Sequence, residues 1–219
     1  MKPTVIFLLF LKILYSNQPS STIPTSTYSI VAYDPETGQL GVAVQSHWFS
    51  VGFLVPWAKA GVGAVATQSF VKVEYGPDGI NLMEEGFTAN EALKKLLLED
   101  KAKEVRQVSM IDTKGNVATH TGSKCIYAAG HFIGDNYSVQ ANMMEKESVW
   151  DAMSYAYENT KGDLADRLMA ALESAEKEGG DIRGKQSAAM LIVSGEPTGF
   201  SWKDIERIKN YCKLKTMLK

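Results

Sequence analysis

Between residues 27 and 69 the apolar positions come in short, dense runs. Thr27-Tyr28-Ser29-Ile30-Val31-Ala32-Tyr33 is followed by the turn Asp34-Pro35-Glu36-Thr37-Gly38 and by Gln39-Leu40-Gly41-Val42-Ala43-Val44-Gln45-Ser46. β-Branched and aromatic residues on both sides of a turn bearing Pro and Gly predict a hairpin. The second run has almost no polar phase, which a strand covered on both faces requires. A loop and a short strand come next, with Pro56 ending or edging it. Gly61 to Ser69 is a third strand built of small residues. Repeated Gly and Ala in a strand predict the close approach of another layer or of a ligand.

The period then changes. Ile80, Leu82, Met83 and Phe87 have helical spacing, with Pro77 suited to the first turn and Gly86 to the end. Thr88-Ala89-Asn90-Glu91 is a capping box opening a second helix through Leu93, Leu96, Leu97 and Leu98. Strand character returns at residues 106–112, turns at Thr113-Lys114-Gly115-Asn116 and comes back over 117–122. A short apolar run from Cys125 to His131 and a strand from Asn136 to Asn142 follow. Two amphipathic helices are predicted over about 147–159 and 163–178, the second stopped by Gly179-Gly180-Asp181. The last buried strand covers 186–193. Hairpins with segregated helix pairs predict an α+β fold, not a doubly wound parallel sheet. Two stacked, mainly antiparallel sheets between helix pairs would cover every apolar face.

Composition narrows the function classes. The chain has 219 residues, is 45% hydrophobic and carries a net charge of −2, so it can bury a full core and offers no general surface for nucleic acid. Cys125 and Cys212 are far apart, and His47, His120 and His131 are scattered. No metal is expected, and with no phosphate loop, dinucleotide fingerprint or Gly-x-Ser-x-Gly elbow no cofactor is expected either. Lys2 and the apolar run Val5 to Leu14, broken by Lys12, have signal-peptide length, too short for a stable membrane span in the mature chain. They predict a secreted or periplasmic protein, or a cytoplasmic one if translation starts later. The chain thus divides into a leader and linker (1–26), one domain (27–194) and a basic tail (195–219).

Four stretches carry a family resemblance: Thr27-Tyr28-Ser29-Ile30-Val31-Ala32, Gly61-Val62-Gly63-Ala64-Val65-Ala66-Thr67-Gln68, Ser138-Val139-Gln140-Ala141-Asn142-Met143-Met144, and Gly180-Asp181-Ile182-Arg183-Gly184-Lys185-Gln186-Ser187-Ala188-Ala189. In this order they resemble the DUF1028 family, placed among the Ntn (N-terminal nucleophile) hydrolase-like proteins. The resemblance implies a four-layer αββα sandwich. It also implies that Thr27 corresponds to a threonine that follows the initiator Met in many members, although here residues 1–26 precede it. If they are removed, Thr27 gains a free amine. That amine, with a reference pKa of about 7.7–8.0, could take the proton of its own hydroxyl. The enzyme so implied is an amidohydrolase acting on a C–N bond in a small molecule or peptide. Ser46 would orient the amine, and about Gln68 and Ser69 would supply oxyanion donors. Lys59 lies roughly where a cation that lowers the amine pKa would enter.

His47, Gln140, Asn142, Asp181 and Arg183 are the substrate-binding candidates. Each has a plainer reading: Gln68 and Gln140 satisfying buried backbone groups, Asp181 and Arg183 fixing a loop, Asn142 capping one, Lys59 solvated. The competing function is a non-catalytic module of the same fold that binds a small ligand or assembles with itself. Exposed sheet edges raise the expectation of a homo-oligomer.

Overall fold

The computed structural model describes residues 26–206. The leader, the linker before Ser26, the tail beyond residue 206 and with it Cys212 lie outside the described residues. Ten strands are present among them: β1 (Thr27–Tyr33), β2 (Leu40–Ser46), β3 (Pro56–Lys59), β4 (Gly63–Ser69), β5 (Arg106–Asp112), β6 (Val117–Thr121), β7 (Gly130–Gly134), β8 (Tyr137–Asn142), β9 (Ser187–Val193) and β10 (Ile205–Glu206). Two helices, α1 (Tyr75–Glu84) and α2 (Ala89–Glu99), follow β4, and two more, α3 (Val149–Asn159) and α4 (Leu164–Lys177), follow β8. A single turn, α5 (Ser201–Asp204), precedes β10.

The strands form two antiparallel sheets, β10-β9-β2-β1-β8-β7 and β3-β4-β5-β6. Helices α3 and α4 cover the first, α1 and α2 the second, and the sheets face each other. This is the αββα sandwich, and it explains the continuous burial of β2, β4, β5 and β8. Each interface holds its own core. Tyr28, Ile30 and Ala43 meet Leu168, Leu172 and Met153 under one helix pair. Val65, Val108 and Met110 meet Ile80 and Leu93 under the other. Val31, Val42, Val44, Ala64, Ala66 and Ile111 pack between the sheets.

Local sequence sets the boundaries. The Thr88 and Glu91 side chains form the reciprocal capping box, and the Asp163 carboxylate caps α4 through Asp166 N. The small strand residues admit neighbouring layers. A Cβ on Gly41 would come within 2.7 Å of Leu168, and one on Gly63 within 2.6 Å of the Ile111 carbonyl oxygen. The apolar run at 125–131 is mostly loop, with β7 starting only at Gly130 and forming a hairpin with β8. Beyond β9 the chain turns back, and β10 adds Ile205 opposite Val193 at that sheet edge.

Candidate functional site

The layer between the sheets is apolar in one half and polar in the other. Strand alternation directs Thr27 and Ser29 of β1, Ser46 of β2, Gln68 of β4, Gln107 and Ser109 of β5, and Ser138, Gln140 and Asn142 of β8 into it. All of these are fully buried. Register gathers them, since Thr27 pairs with Ser46 on one side and Asn142 on the other, and Gln68 pairs with Gln107.

Thr27 lies at the centre. Its Oγ1 donates to Ser46 Oγ at 3.1 Å. Ser46 Oγ donates in turn to the Ser26 carbonyl oxygen at 2.6 Å and accepts from Trp48 N at 3.0 Å. The hydroxyl of Thr27 and the carbonyl of the peptide bond before it are therefore bridged by one serine. The Thr27 carbonyl oxygen accepts from Gln68 Nε2 at 3.1 Å and from Asn142 Nδ2 at 3.4 Å. Both amides are oriented by Gln107, whose Oε1 accepts from Gln68 Nε2 at 2.7 Å and Asn142 Nδ2 at 3.1 Å. Gln107 Nε2 donates to Thr121 Oγ1 at 2.9 Å, and Thr121 Oγ1 meets His131 Nδ1 at 2.8 Å. A chain of hydrogen bonds thus leads from the backbone of Thr27 to a half-buried histidine. Burial, with the His120 charge, holds the His131 pKa below its ordinary value.

The other candidates divide. Ser69 ends β4 with φ of 71° and shares a hydrogen bond with Cys125, whose thiol also donates to the Arg106 carbonyl at 3.3 Å. Burial pushes the Cys125 pKa up, so at neutral pH it is a thiol and a poor nucleophile. Gln140 donates to Ser29 Oγ at 3.2 Å and to the Ala66 carbonyl at 3.1 Å. Asp181 is a loop fastener as well. Its carboxylate accepts from His47 N at 3.2 Å and Arg183 N at 2.8 Å, with Arg183 Nε 3.7 Å away. His47, Asp181 and Arg183 therefore stand together beside the end of β2. Lys59 does not join them: it pairs with Gly63, at the opposite end of β4 from Gln68, and forms an ion pair with Glu84.

Sequence reading missed Gln107 and Ser26. Gln107 was visible only as a polar residue on the same phase of β5 as Ser109 and Ile111, and its partners come from strands distant in the chain. Among the described residues no group of His, Cys, Asp or Glu is placed to hold a metal ion, and no helix is long and apolar enough to cross a membrane.

Architecture and site define an αββα sandwich whose first strand opens on a buried threonine inside a polar inter-sheet layer. A family model described as a family of unknown function, DUF1028, matches residues 27–213, and the chain belongs to that family. It is similar to the crystal structure of a DUF1028 protein from Silicibacter pomeroyi, with a TM-score of 0.72 and 30% identity over 77% of this chain and 74% of that one. Anbu (ancestral beta-subunit) from Yersinia bercovieri aligns with a TM-score of 0.38 and 12% identity over 87% of this chain and 91% of that one. No curated protein matches the sequence.

Proposed function

We propose that this protein is an amide-bond hydrolase whose nucleophile is the Thr27 hydroxyl, armed when the bond between Ser26 and Thr27 is opened. The observation that carries the reading is the single serine joining the Thr27 hydroxyl to the Ser26 carbonyl oxygen, at 3.1 and 2.6 Å. That bridge suits the first step. As Thr27 Oγ1 adds to the Ser26 carbonyl carbon, the oxygen that gains negative charge already faces the Ser46 hydroxyl donor. The C–N bond then breaks, the threonine proton ends on the released nitrogen, and water splits the resulting ester into the Ser26 carboxylate and free Thr27. Thr27 now carries its own base, an α-amine whose reference pKa is about 7.7–8.0. The same hydroxyl attacks the substrate amide, releases its amine and is regenerated by water. Gln68 and Asn142 hold the Thr27 carbonyl throughout, so backbone position is fixed before the amine exists. The family match beginning at Thr27 supports the same starting point.

The complete burial of Thr27 favours the alternative, a non-catalytic module, for a chain that keeps Ser26 in place. Intact mass separates the two. Purified full-length protein, incubated alone, is expected to lose residues 1–26, more slowly in Ser46→Ala and not at all in Thr27→Ala. The processed chain is then expected to turn over members of a panel of linear and cyclic amides. A chain that keeps its leader and still hydrolyses an amide would refute the mechanism.

A further inference from the structure

This inference rests on Thr27 as the nucleophile. In the whole chain the Ser26 acyl group stands where a substrate's acyl group must stand, because both become esters of the same Thr27 oxygen. What surrounds Ser26 therefore describes the acyl side of the substrate. Ser26 is fully buried, and its hydroxyl donates to the carbonyl oxygens of Asn142 at 3.3 Å and Met143 at 3.2 Å. The enclosure takes a small side chain and offers two acceptors to a hydroxyl.

Three loops meet around it. Trp48 N donates to Ser46 Oγ, which itself donates to the Ser26 carbonyl. Ile182 N donates at 3.3 Å to the Met143 carbonyl, the oxygen that also takes the Ser26 hydroxyl. Met143 N donates at 3.3 Å to the Ile126 carbonyl. Large apolar side chains at or next to these anchors stay out of the core: Phe49 is 82% exposed, Tyr127 74% and Ile182 58%. Scattered exposed hydrophobics need no explanation, but these three, from separate stretches, sit on the backbone segments whose hydrogen bonds surround Ser26. We propose that Phe49, Tyr127 and Ile182 form the seat for an apolar group on the acyl side. The substrate class is then a peptide-like N-acyl amide, with a small residue at the scissile carbonyl and an apolar residue before it.

The test reads binding without cleavage. All the described strands and all three cores lie within residues 27–206, so a chain begun at residue 27 keeps them. That leader-free chain, carrying Thr27→Ala and matched to its parent by thermal melting, is titrated by calorimetry with two probes of identical composition. These are N-acetyl-phenylalanyl-serinamide and N-acetyl-seryl-phenylalaninamide. The first is expected to bind roughly tenfold or more tightly, the scale of burying one aromatic side chain. The double variant Phe49→Ala, Tyr127→Ala, changed only at exposed positions, is expected to erase the preference. Equal binding of both probes, or a preference that survives the double variant, overturns the proposal. So does a dimer in sedimentation that Phe49→Ser dissolves, since the seat would then belong to a second copy. No bond is cut in this assay. Amide turnover that survives Thr27→Ala sinks the nucleophile, whereas turnover without an order preference sinks only the acyl seat.

Discussion

Replacing Gln107 by methionine keeps the length and much of the volume of the side chain and deletes its amide. Gln107 is fully buried and makes five polar contacts: Oε1 with Gln68 and Asn142, and Nε2 with Thr121 Oγ1 and the carbonyls of Gly130 and Ala141 at 3.1 and 3.0 Å. All five are lost with the amide, but three of the partners keep another bond. Gln68 and Asn142 still reach the Thr27 carbonyl, and Thr121 still meets His131. Two or three groups are left without adequate partners, each costing about 1–3 kcal/mol, so the change should cost roughly 3–6 kcal/mol. Against a total stability of about 5–15 kcal/mol this is a large loss, visible as a lowered denaturation midpoint in urea at unchanged slope. A second consequence is specific to the site. With Gln107 Oε1 gone, the amides of Gln68 and Asn142 can rotate away from Thr27, so the proposed cleavage before Thr27 should slow even at temperatures where the variant stays folded. A destabilisation under about 1 kcal/mol with an unchanged slope would refute the claim that Gln107 organises the polar layer.

Two other changes test the same framework. Thr121 Oγ1 accepts from Gln107 and lies 2.8 Å from His131 Nδ1, donating to it when Nδ1 is unprotonated and accepting from it when Nδ1 carries the proton. The His131 pKa is lowered in the folded state, so its stabilising effect is complete above the unfolded value of about 6.5 and is lost as pH falls through the folded value. Melting temperature should therefore drop below about pH 6.5 more steeply in the native protein than in His131→Asn, which keeps an acceptor that does not titrate there; identical profiles would remove His131 from the chain. A methyl group on Gly122 would land on the backbone carbonyls of Lys103 and Glu104, not on a yielding side chain. Gly122→Ala should cost about 1–3 kcal/mol or more by forcing the turn at Lys103–Val105 off the end of β6, measured by the same urea titration.

Much of the fold was legible because the period of the apolar pattern differs between strands and helices. The 27–46 hairpin, the capping box at Thr88 and the Gly179-Gly180 stop all act through neighbours in sequence. Thr27 and Ser46 were legible as a pair for that reason, since a hairpin turn fixes their register. What failed to show depends on long-range register. Gln107 touches Gln68, Thr121 and Asn142, which lie on three different strands of two sheets. Gln140 could be read toward a pocket or toward a backbone carbonyl, and its bond to the Ala66 carbonyl comes from a strand of the other sheet. The solvated reading of Lys59 fits its half-exposed ion pair with Glu84, whereas its placement as a cation near the amine fails because sequence proximity to β4 does not say which end of that strand it reaches.

The distribution of polarity between the sheets bears on why Thr27 is there at all. A core of this size is satisfied more cheaply by apolar side chains, since each buried amide must find every partner or cost stability. The half of the layer holding Val31, Val42, Val44 and Ile111 follows that rule. The other half does not: Ser46, Gln68, Gln107 and Asn142 converge on the strand end where Thr27 meets Ser26, while Ser109, Ser138 and Gln140 bond elsewhere between the sheets. If these groups served only to join two sheets, an apolar continuation would serve better. The bonds of Ser46, Gln68 and Asn142 hold the Thr27 carbonyl, the Thr27 hydroxyl and the Ser26 carbonyl, the parts that the proposed attack of Thr27 on its own backbone would need settled beforehand.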